Sequence, residues 1–179
     1  SDGSLHLFRA KSIVLATGGI TRCWEVCSGS WEYTGEGHAL AYWTGAEMGD
    51  MEFVQFHPTS LTGSNILITE RARSAGAYLL NKNGERFMTK YAPSSLELAP
   101  RDIVSRSIIN EINDGFGLKD SKYDDYIELS FTHLSDSVLN EKLSDVKDMA
   151  SSLLNIDIKK TPLKIIPAQH YMMGGILIN

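Results

Sequence analysis

Apolar and polar residues alternate over short distances along this chain, and this pattern predicts a mixture of strands and helices. Residues 5–9 and 12–16 are short, mainly apolar runs and are predicted to form strands, the second leading into a tight glycine turn. Residues 51–57 (MEFVQFH) read as a further strand that turns Gln55 and His57 to one face. Pro58 has no N–H group to donate, so it is predicted to end the regular ladder pairing.

Two helices have recognisable starts. Thr34 is predicted to be the N-cap of a helix that runs to about residue 46, with Glu36 in its first turn, where the helix dipole favours an acid. Pro100 suits the first turn of another helix. That second helix carries apolar residues every four positions, at Val104, Ile108 and Ile112.

The remaining elements complete an α+β prediction. Asn83 and Gly84, between strand-like segments, are a strong hairpin signal. Further strands are predicted at residues 65–69, 126–131 and 164–167, and polar helices at residues 135–143 and 145–154. The first segment is predicted to belong to a neighbouring α/β unit.

The amino-acid composition of the chain argues against several classes of protein function. The chain has 179 residues, is 42% hydrophobic and 22% charged, and carries a net charge of −5 with scattered cations, which argues against nucleic-acid binding. No apolar run approaches the ~20 residues that cross a bilayer, so no direct membrane span is expected. Cys23 and Cys27 match no zinc pattern, so no metal site is predicted, and two reduced thiols favour a cytoplasmic protein. Because both ends of the chain fall within patterned segments, we expect a piece of a longer protein.

Six residues could carry chemistry, although each has a simpler explanation. Glu70 and Arg73 are three apart and could be a surface ion pair, and Arg101 beside Asp102 could be a capping arrangement. His170 could be a buried structural histidine. Taken together, cations, imidazoles and a hydroxyl suit a small dicarboxylate, because each can bind a carboxylate oxygen. The six candidates are His57, Thr69, Glu70, Arg73, Arg101 and His170.

Several motifs, in order along the chain, resemble the flavoprotein subunits of succinate dehydrogenase and fumarate reductase, with L-aspartate oxidase a close relative. The matching segments are ATGG (16–19), TGEGHALAY (34–42), GDMEFVQFHPT (49–59), LITE (67–70), YLLNKNGERFM (78–88), APRDIVSRSI (99–108) and PAQHYMMGGI (167–176). Each motif alone is moderately specific. Their order and their spread over most of the chain make chance a poor explanation.

The resemblance implies a domain organisation. Residues 1–56 would be the C-terminal part of a first FAD-binding segment, residues 57–168 a capping domain, and residues 169–179 the start of the return to the FAD-binding domain. No GxGxxG follows a first strand, so most of the FAD site would lie outside this chain. The chain alone is therefore expected to hold no flavin and to be inactive.

The resemblance also implies a role for each candidate. His57 and Thr69 would hold one substrate carboxylate and His170 the other. Arg101 would transfer the proton, with Glu70 and Arg73 as the relay to solvent. The expected cofactor contacts are Glu36, where the family usually has Asp, and the residues Ala16, Thr17, Gly18 and Gly19.

The implied function of the intact protein is the FAD-dependent interconversion of succinate and fumarate, with hydride transfer to flavin N5 and proton transfer through an arginine. Two alternatives stay open: L-aspartate oxidase, which forms iminoaspartate, and a non-catalytic domain fragment. The family implies an iron–sulfur subunit and membrane anchor subunits as partners. It also implies a cytoplasmic location, peripheral at the inner face of the plasma membrane.

Overall fold

The computed structural model describes residues 2–122 and 125–178, and it contains two antiparallel sheets. The larger has the order β2-β5-β4-β3, and the smaller pairs β1 with β6. The strands are β1 Met48–Gly49, β2 Val54–Leu61, β3 Tyr78–Leu80, β4 Ile127–Ser130, β5 Leu163–Met172 and β6 Gly175–Ile176. The long strands β2, at the edge of the larger sheet, and β5 pair with each other and position the site.

Helices accompany the two sheets, and the mixture agrees with the predicted α+β class. The α-helices are α1 Glu36–Trp43, α2 Glu70–Ser74, α3 Met88–Tyr91, α4 Arg101–Glu111, α5 Asp136–Lys142 and α6 Ser144–Leu154. Short 3-10 turns cover Thr21–Cys23 and Leu96–Leu98, and a π-helical turn covers Ile112–Phe116. Gly115, at φ 82°, breaks the helical backbone there, because glycine adopts this left-handed conformation at little cost.

The core lies between the sheet and helix α4, which packs against β2. Val104 and Ile108 on α4 are fully buried, which confirms the predicted apolar face of this helix. Pro100 occupies the N-cap position immediately before it. Leu129 and Ile165 on the central strands belong to the same cluster. Packing against this core fixes Arg101, the first residue of α4, beside the end of the sheet.

Pro58 interrupts the ladder without ending the strand. His57 lies opposite Ala168 on β5, and the next paired residue of β2 is Ser60, so the register skips Pro58 and Thr59. The backbone of Thr59 bonds instead to Ile68, whose N–H donates to the Thr59 carbonyl at 2.8 Å. The prediction of a disrupted ladder is correct, whereas the strand itself continues to Leu61. The disruption brings the segment before α2 alongside β2.

Three predicted strands are wrong. Residues 5–9 and 12–16 form no regular structure, and Leu5 and Val14 are 98% and 89% exposed. An apolar run becomes a strand only where a partner strand supplies hydrogen bonds, and the described part of the chain offers these runs none. Residues 65–69 contain a single bridge, from Leu67 to Ser60, before α2 begins.

The start of α1 also differs from the prediction. Gly35, not Thr34, is the N-cap residue, in a left-handed conformation at φ 93°. The Thr34 side chain hydrogen-bonds to Glu36 and lowers the pKa of its carboxyl group. The helix ends at Trp43, short of residue 46, and the Thr44 hydroxyl donates to the carbonyl of Ala41 at 2.8 Å.

Across residues 2–122 and 125–178, none of the helices is both long enough and apolar enough to span a membrane.

Candidate active site

Two histidines from adjacent strands meet at the end of the larger sheet. The ring centroids of His57 on β2 and His170 on β5 are 5.5 Å apart, with the rings at 76°. His57 is 3% exposed, whereas His170 is partly exposed. The antiparallel pairing of β2 and β5 therefore brings together two residues that are 113 positions apart in sequence (170 minus 57).

His57 is held as a neutral ring. Burial, followed by the positive charges of Arg101, Arg73 and His170, lowers its pKa from 6.5 to about 4. The backbone N–H of Thr59 donates to His57 Nδ1 at 3.3 Å, so the neutral ring carries its proton on Nε2. That Nε2–H group is a donor suited to a carboxylate oxygen.

His170 is anchored by a loop that runs beside β5. Cys27 bridges to Gln169, and the Ser28 hydroxyl lies 2.8 Å from His170 Nδ1. Burial and then the charge of Arg101 lower the pKa of His170 below its usual value. Burial, and after it the charge of the same guanidinium, therefore favours the neutral form of both imidazoles.

The carboxylate of Glu70 lies between two guanidinium groups. Its Oε2 atom is 3.5 Å from Arg101 Nη2 and 3.7 Å from Arg73 Nη2. The Glu70 side chain is 51% exposed and that of Arg73 only 1%. Burial is the main cause that lowers the pKa of Arg73, and the charge of Arg101 adds to it. Glu70 therefore contacts one buried and one partly exposed guanidinium and is itself open to solvent.

Arg101 is oriented by a residue that the sequence analysis did not select. Gln55 Oε1 accepts a hydrogen bond from Arg101 Nη1 at 2.8 Å, two positions before His57 on β2. The sequence did contain a signal for Gln55, because Gln55 and His57 were predicted to lie on the same face of their strand. Glu97, which binds Arg73 through its backbone carbonyl, was also missed. Glu97 lies in the segment LEL (residues 96–98), where no sequence motif indicates a functional site.

Thr69 is adjacent to this cluster, but its side chain does not bind any member of it. It occupies the N-cap position of α2, is exposed, and makes no side-chain capping hydrogen bond. Backbone bonds between Thr59 and Ile68 hold it near the end of β2. The structure thus brings His57, His170, Arg101, Glu70 and Arg73 together, with Thr69 at the margin.

Two neighbouring cavities border the cluster. One of about 540 Å³ is lined by Gly18, Gly19, His38, His170 and Gly174, among others. The other, of about 460 Å³, is lined by residues that include Gln55 and Arg101. The rings of His57 and His170 lie 5.5 Å apart, and the charge of Arg101 acts on both of them. His170 and Arg101 nevertheless line different cavities.

The profile of one protein family, described as an FAD binding domain, matches the chain over residues 1–179. The chain belongs to the FAD binding domain family. The predicted cofactor, FAD, is confirmed at the level of this family.

Named members of this FAD-binding group are similar along nearly the whole chain. The succinate dehydrogenase flavoprotein subunit of Rickettsia conorii is 45% identical over 99% of this chain and 30% of its own length. The mitochondrial succinate dehydrogenase [ubiquinone] flavoprotein subunit of Oryza sativa subsp. japonica is 44% identical over 99% of this chain and 28% of its own. The chain therefore spans about a third or less of these relatives.

Solved structures of the FAD-dependent relatives share the fold. E. coli quinol fumarate reductase superposes with a TM-score of 0.83 at 35% identity, covering 90% of this chain and 29% of that one. The Mycobacterium smegmatis Sdh1 complex in the apo form gives 0.74 at 35% identity, covering 92% and 26%. The predicted resemblance to succinate dehydrogenase and fumarate reductase flavoproteins is thus confirmed.

The larger cavity has features that fit part of an FAD molecule. A Cβ atom added to Gly18, at φ 77°, would lie 2.6 Å from the Tyr33 ring, so only glycine leaves this wall open. Thr21 Oγ1 and His38 Nδ1 are buried without a hydrogen-bond partner in the described chain. Such atoms can bind a polar cofactor.

The five residues predicted to contact the cofactor lie in different environments. Gly18 and Gly19 line the larger cavity. Thr17 instead packs against α1, where its hydroxyl would overlap a Cβ atom on Gly37. Ala16 and Glu36 are exposed. Among the described residues, no group of three or more His, Cys, Asp or Glu side chains could hold a metal ion.

Proposed function

We propose that the intact protein interconverts succinate and fumarate with FAD as its cofactor. The observation that carries this proposal is the carboxylate of Glu70 between Arg101 and Arg73, next to two imidazoles that share one end of a sheet. Support comes from relatives at 44–45% identity that are succinate dehydrogenase flavoprotein subunits.

In this proposal the histidines and Thr69 bind the two carboxylates of the substrate. His57 donates from Nε2 to one carboxylate, together with the exposed hydroxyl of Thr69, and His170 binds the other. The positive charge of Arg101 helps to hold a dianion nearby. Polarising the carboxylates stabilises the charge that develops on the adjacent reacting carbons.

FAD, when bound, supplies the hydride acceptor at flavin N5. Arg101 takes the proton from the neighbouring carbon, and it returns that proton when fumarate is reduced. A guanidine is a strong base, which abstraction of a proton from a weakly acidic C–H group requires. Glu70 exchanges the proton with Arg101 or Arg73, and its exposed side chain opens the path to solvent.

The wider organisation is also part of the proposal. Residues 57–168 form a capping domain, residues 1–56 and 169–179 belong to the FAD-binding domain, and the 179-residue chain alone does not turn over. The intact protein binds an iron–sulfur subunit and, through membrane anchor subunits, lies at the inner face of the plasma membrane. Similarity to a structure described as the Sdh1 complex supports the partner subunits.

Substitution of Arg101 tests the proposal in the intact protein. We expect Arg101→Lys to lower succinate oxidation and fumarate reduction about 10²–10⁴-fold, because lysine cannot keep both the bond to Gln55 and the approach to Glu70. Arg106→Lys is the matched control, since Arg106 lies on the same helix and its ion-pair partner among the described residues is the exposed Asp102. Ordinary turnover by Arg101→Lys would show that Arg101 is not the proton-transferring residue.

A separate assay tests the alternative function: peroxide formation with L-aspartate, in place of activity with succinate, would favour L-aspartate oxidase.

A further inference from the structure

A buried carboxylate lies directly behind the relay. Glu97 is 2% exposed, and its two oxygens accept hydrogen bonds from Arg86 Nε at 2.9 and 3.1 Å and from Arg86 Nη2. The N–H of Leu79 donates to the same carboxylate at 3.2 Å. A carboxylate with this many donors is fixed in place, because charge-assisted and bidentate hydrogen bonds are strong.

The same residue binds the relay through its backbone. The carbonyl oxygen of Glu97 accepts a hydrogen bond from Arg73 Nη1. Two other nitrogens of that guanidinium, Nε and Nη2, are buried and have no hydrogen-bond partner among the described residues. This carbonyl group therefore helps to orient Arg73, together with the ion pair between Arg73 and Glu70.

The segment that carries this carbonyl is a short 3-10 turn, Leu96–Leu98, that contains a strained residue. Leu96 has a left-handed backbone at φ 50°, a conformation that costs free energy for a residue with a branched side chain. Arg86 is fixed from its other side, because its guanidinium lies 3.9 Å from the centre of the Tyr78 ring. The ion pair of Arg86 and Glu97 thus secures a strained turn.

We propose that Glu97, held by Arg86, is a positioning residue for the proton relay: it fixes the carbonyl group that aims Arg73 at Glu70. This inference rests on the proposed function and deepens it. The segment also leads directly to Pro100 and Arg101, so movement of Glu97 displaces both guanidinium groups that contact Glu70.

A second buried glutamate provides a matched comparison. Glu111 is also 2% exposed and accepts hydrogen bonds from Asn81 at 3.0 Å, Tyr91 at 3.0 Å and Lys90 at 3.4 Å. None of these partners belongs to the relay. Removing either charge destabilises the fold, because a buried cation or donor loses its acceptor. Only the Glu97 change is expected to alter proton delivery.

The experiment compares Glu97→Gln, Glu111→Gln and Glu70→Gln in the intact FAD-loaded protein. For each variant, kcat, KM for succinate and the solvent deuterium isotope effect on kcat are measured per bound flavin, together with thermal unfolding. Glu97→Gln places an amide NH₂ against the donors of Arg86, so the turn shifts. We expect kcat to fall about 10- to 100-fold with KM nearly unchanged and a larger isotope effect, because small misplacements in a reacting array have large effects on rate. Glu111→Gln should lower the unfolding temperature alone.

The outcomes separate the inference from the proposed function. If Glu97→Gln behaves like Glu111→Gln while Glu70→Gln loses turnover, the positioning role is overturned and the relay stands. If Glu70→Gln keeps wild-type turnover, the relay fails, and this inference fails with it. If Glu97→Gln does not fold, Arg86→Lys decides the matter: it keeps the charge but loses the bidentate bond. The same kcat and isotope changes would support the role, and wild-type values would overturn it.

Discussion

At the scale of single residues, His57 makes a prediction about pH. Its pKa is lowered from 6.5 to about 4 in the fold, mainly by burial. Between these two values the unfolded chain binds a proton that the folded chain does not. The free energy of unfolding therefore falls as the pH drops from about 6.5 to about 4, by on the order of 3 kcal/mol in total, and this contribution is fully present above pH 6.5.

Urea unfolding of the intact protein at a series of pH values measures this effect. The expected result is that His57→Asn loses this part of the pH dependence below pH 6.5, while His6→Asn, in an exposed segment, keeps it. Equal pH dependence in the wild type and both variants would show that His57 is not a buried neutral ring.

Residue types identified much of this cluster before its geometry was known. His57, His170, Arg101, Glu70 and Arg73 were selected because their chemistry suits a dicarboxylate and their motifs resemble a family. Gln55 and Glu97 were missed for a physical reason: each contacts the cluster through a hydrogen bond to a guanidinium group that is distant in sequence. A sequence shows which side chains can bond, whereas the fold decides which of them meet.

At the scale of elements, the connection between β5 and β6 depends on Gly174. A Cβ atom at this position would lie 2.1 Å from the backbone oxygen of Asp50 and 2.5 Å from that of Gly49. Backbone atoms in a paired strand cannot move aside at low cost. We expect Gly174→Ala to lower the free energy of unfolding by about 1–3 kcal/mol and to loosen the β1–β6 pairing.

Denaturant unfolding and amide exchange at Met48 and Ile176 measure this change in the intact protein. Gly19→Ala is the control, because Gly19 lines the same cavity and a Cβ atom there meets nothing within 4 Å. Unchanged exchange at β1 and β6 in Gly174→Ala would mean that the strands can separate without cost.

Elements were predictable where local signals sufficed. Helix α4 has a proline at its start and an apolar residue every four positions, and the structure forms it from Arg101 to Glu111. The runs at residues 5–9, 12–16 and 65–69 are apolar as well, yet a strand also needs a partner, which periodicity does not specify. The register break after His57 followed from the missing N–H of Pro58.

At the scale of the whole molecule, the N-terminal segment is the least covered part of the described chain. Leu5 is 98% exposed, Phe8 86% and Val14 89%, and no strand within residues 2–122 and 125–178 pairs with them. Apolar surface of this extent favours association with another surface. In the intact flavoprotein we expect the same segment to be covered by the remainder of the FAD-binding domain.

This exposure predicts a difference between the isolated 179-residue chain and the intact protein. The isolated chain should be colourless after purification, since one wall of glycines and two unpartnered polar atoms cannot hold FAD alone. It should also show no amide protection over residues 2–18, whereas the intact protein should protect residues 12–16. Flavin absorbance and hydrogen exchange measure both points. A yellow isolated chain with protected residues 12–16 would mean that this segment finds its partner within the chain itself, and that these 179 residues suffice to bind the cofactor.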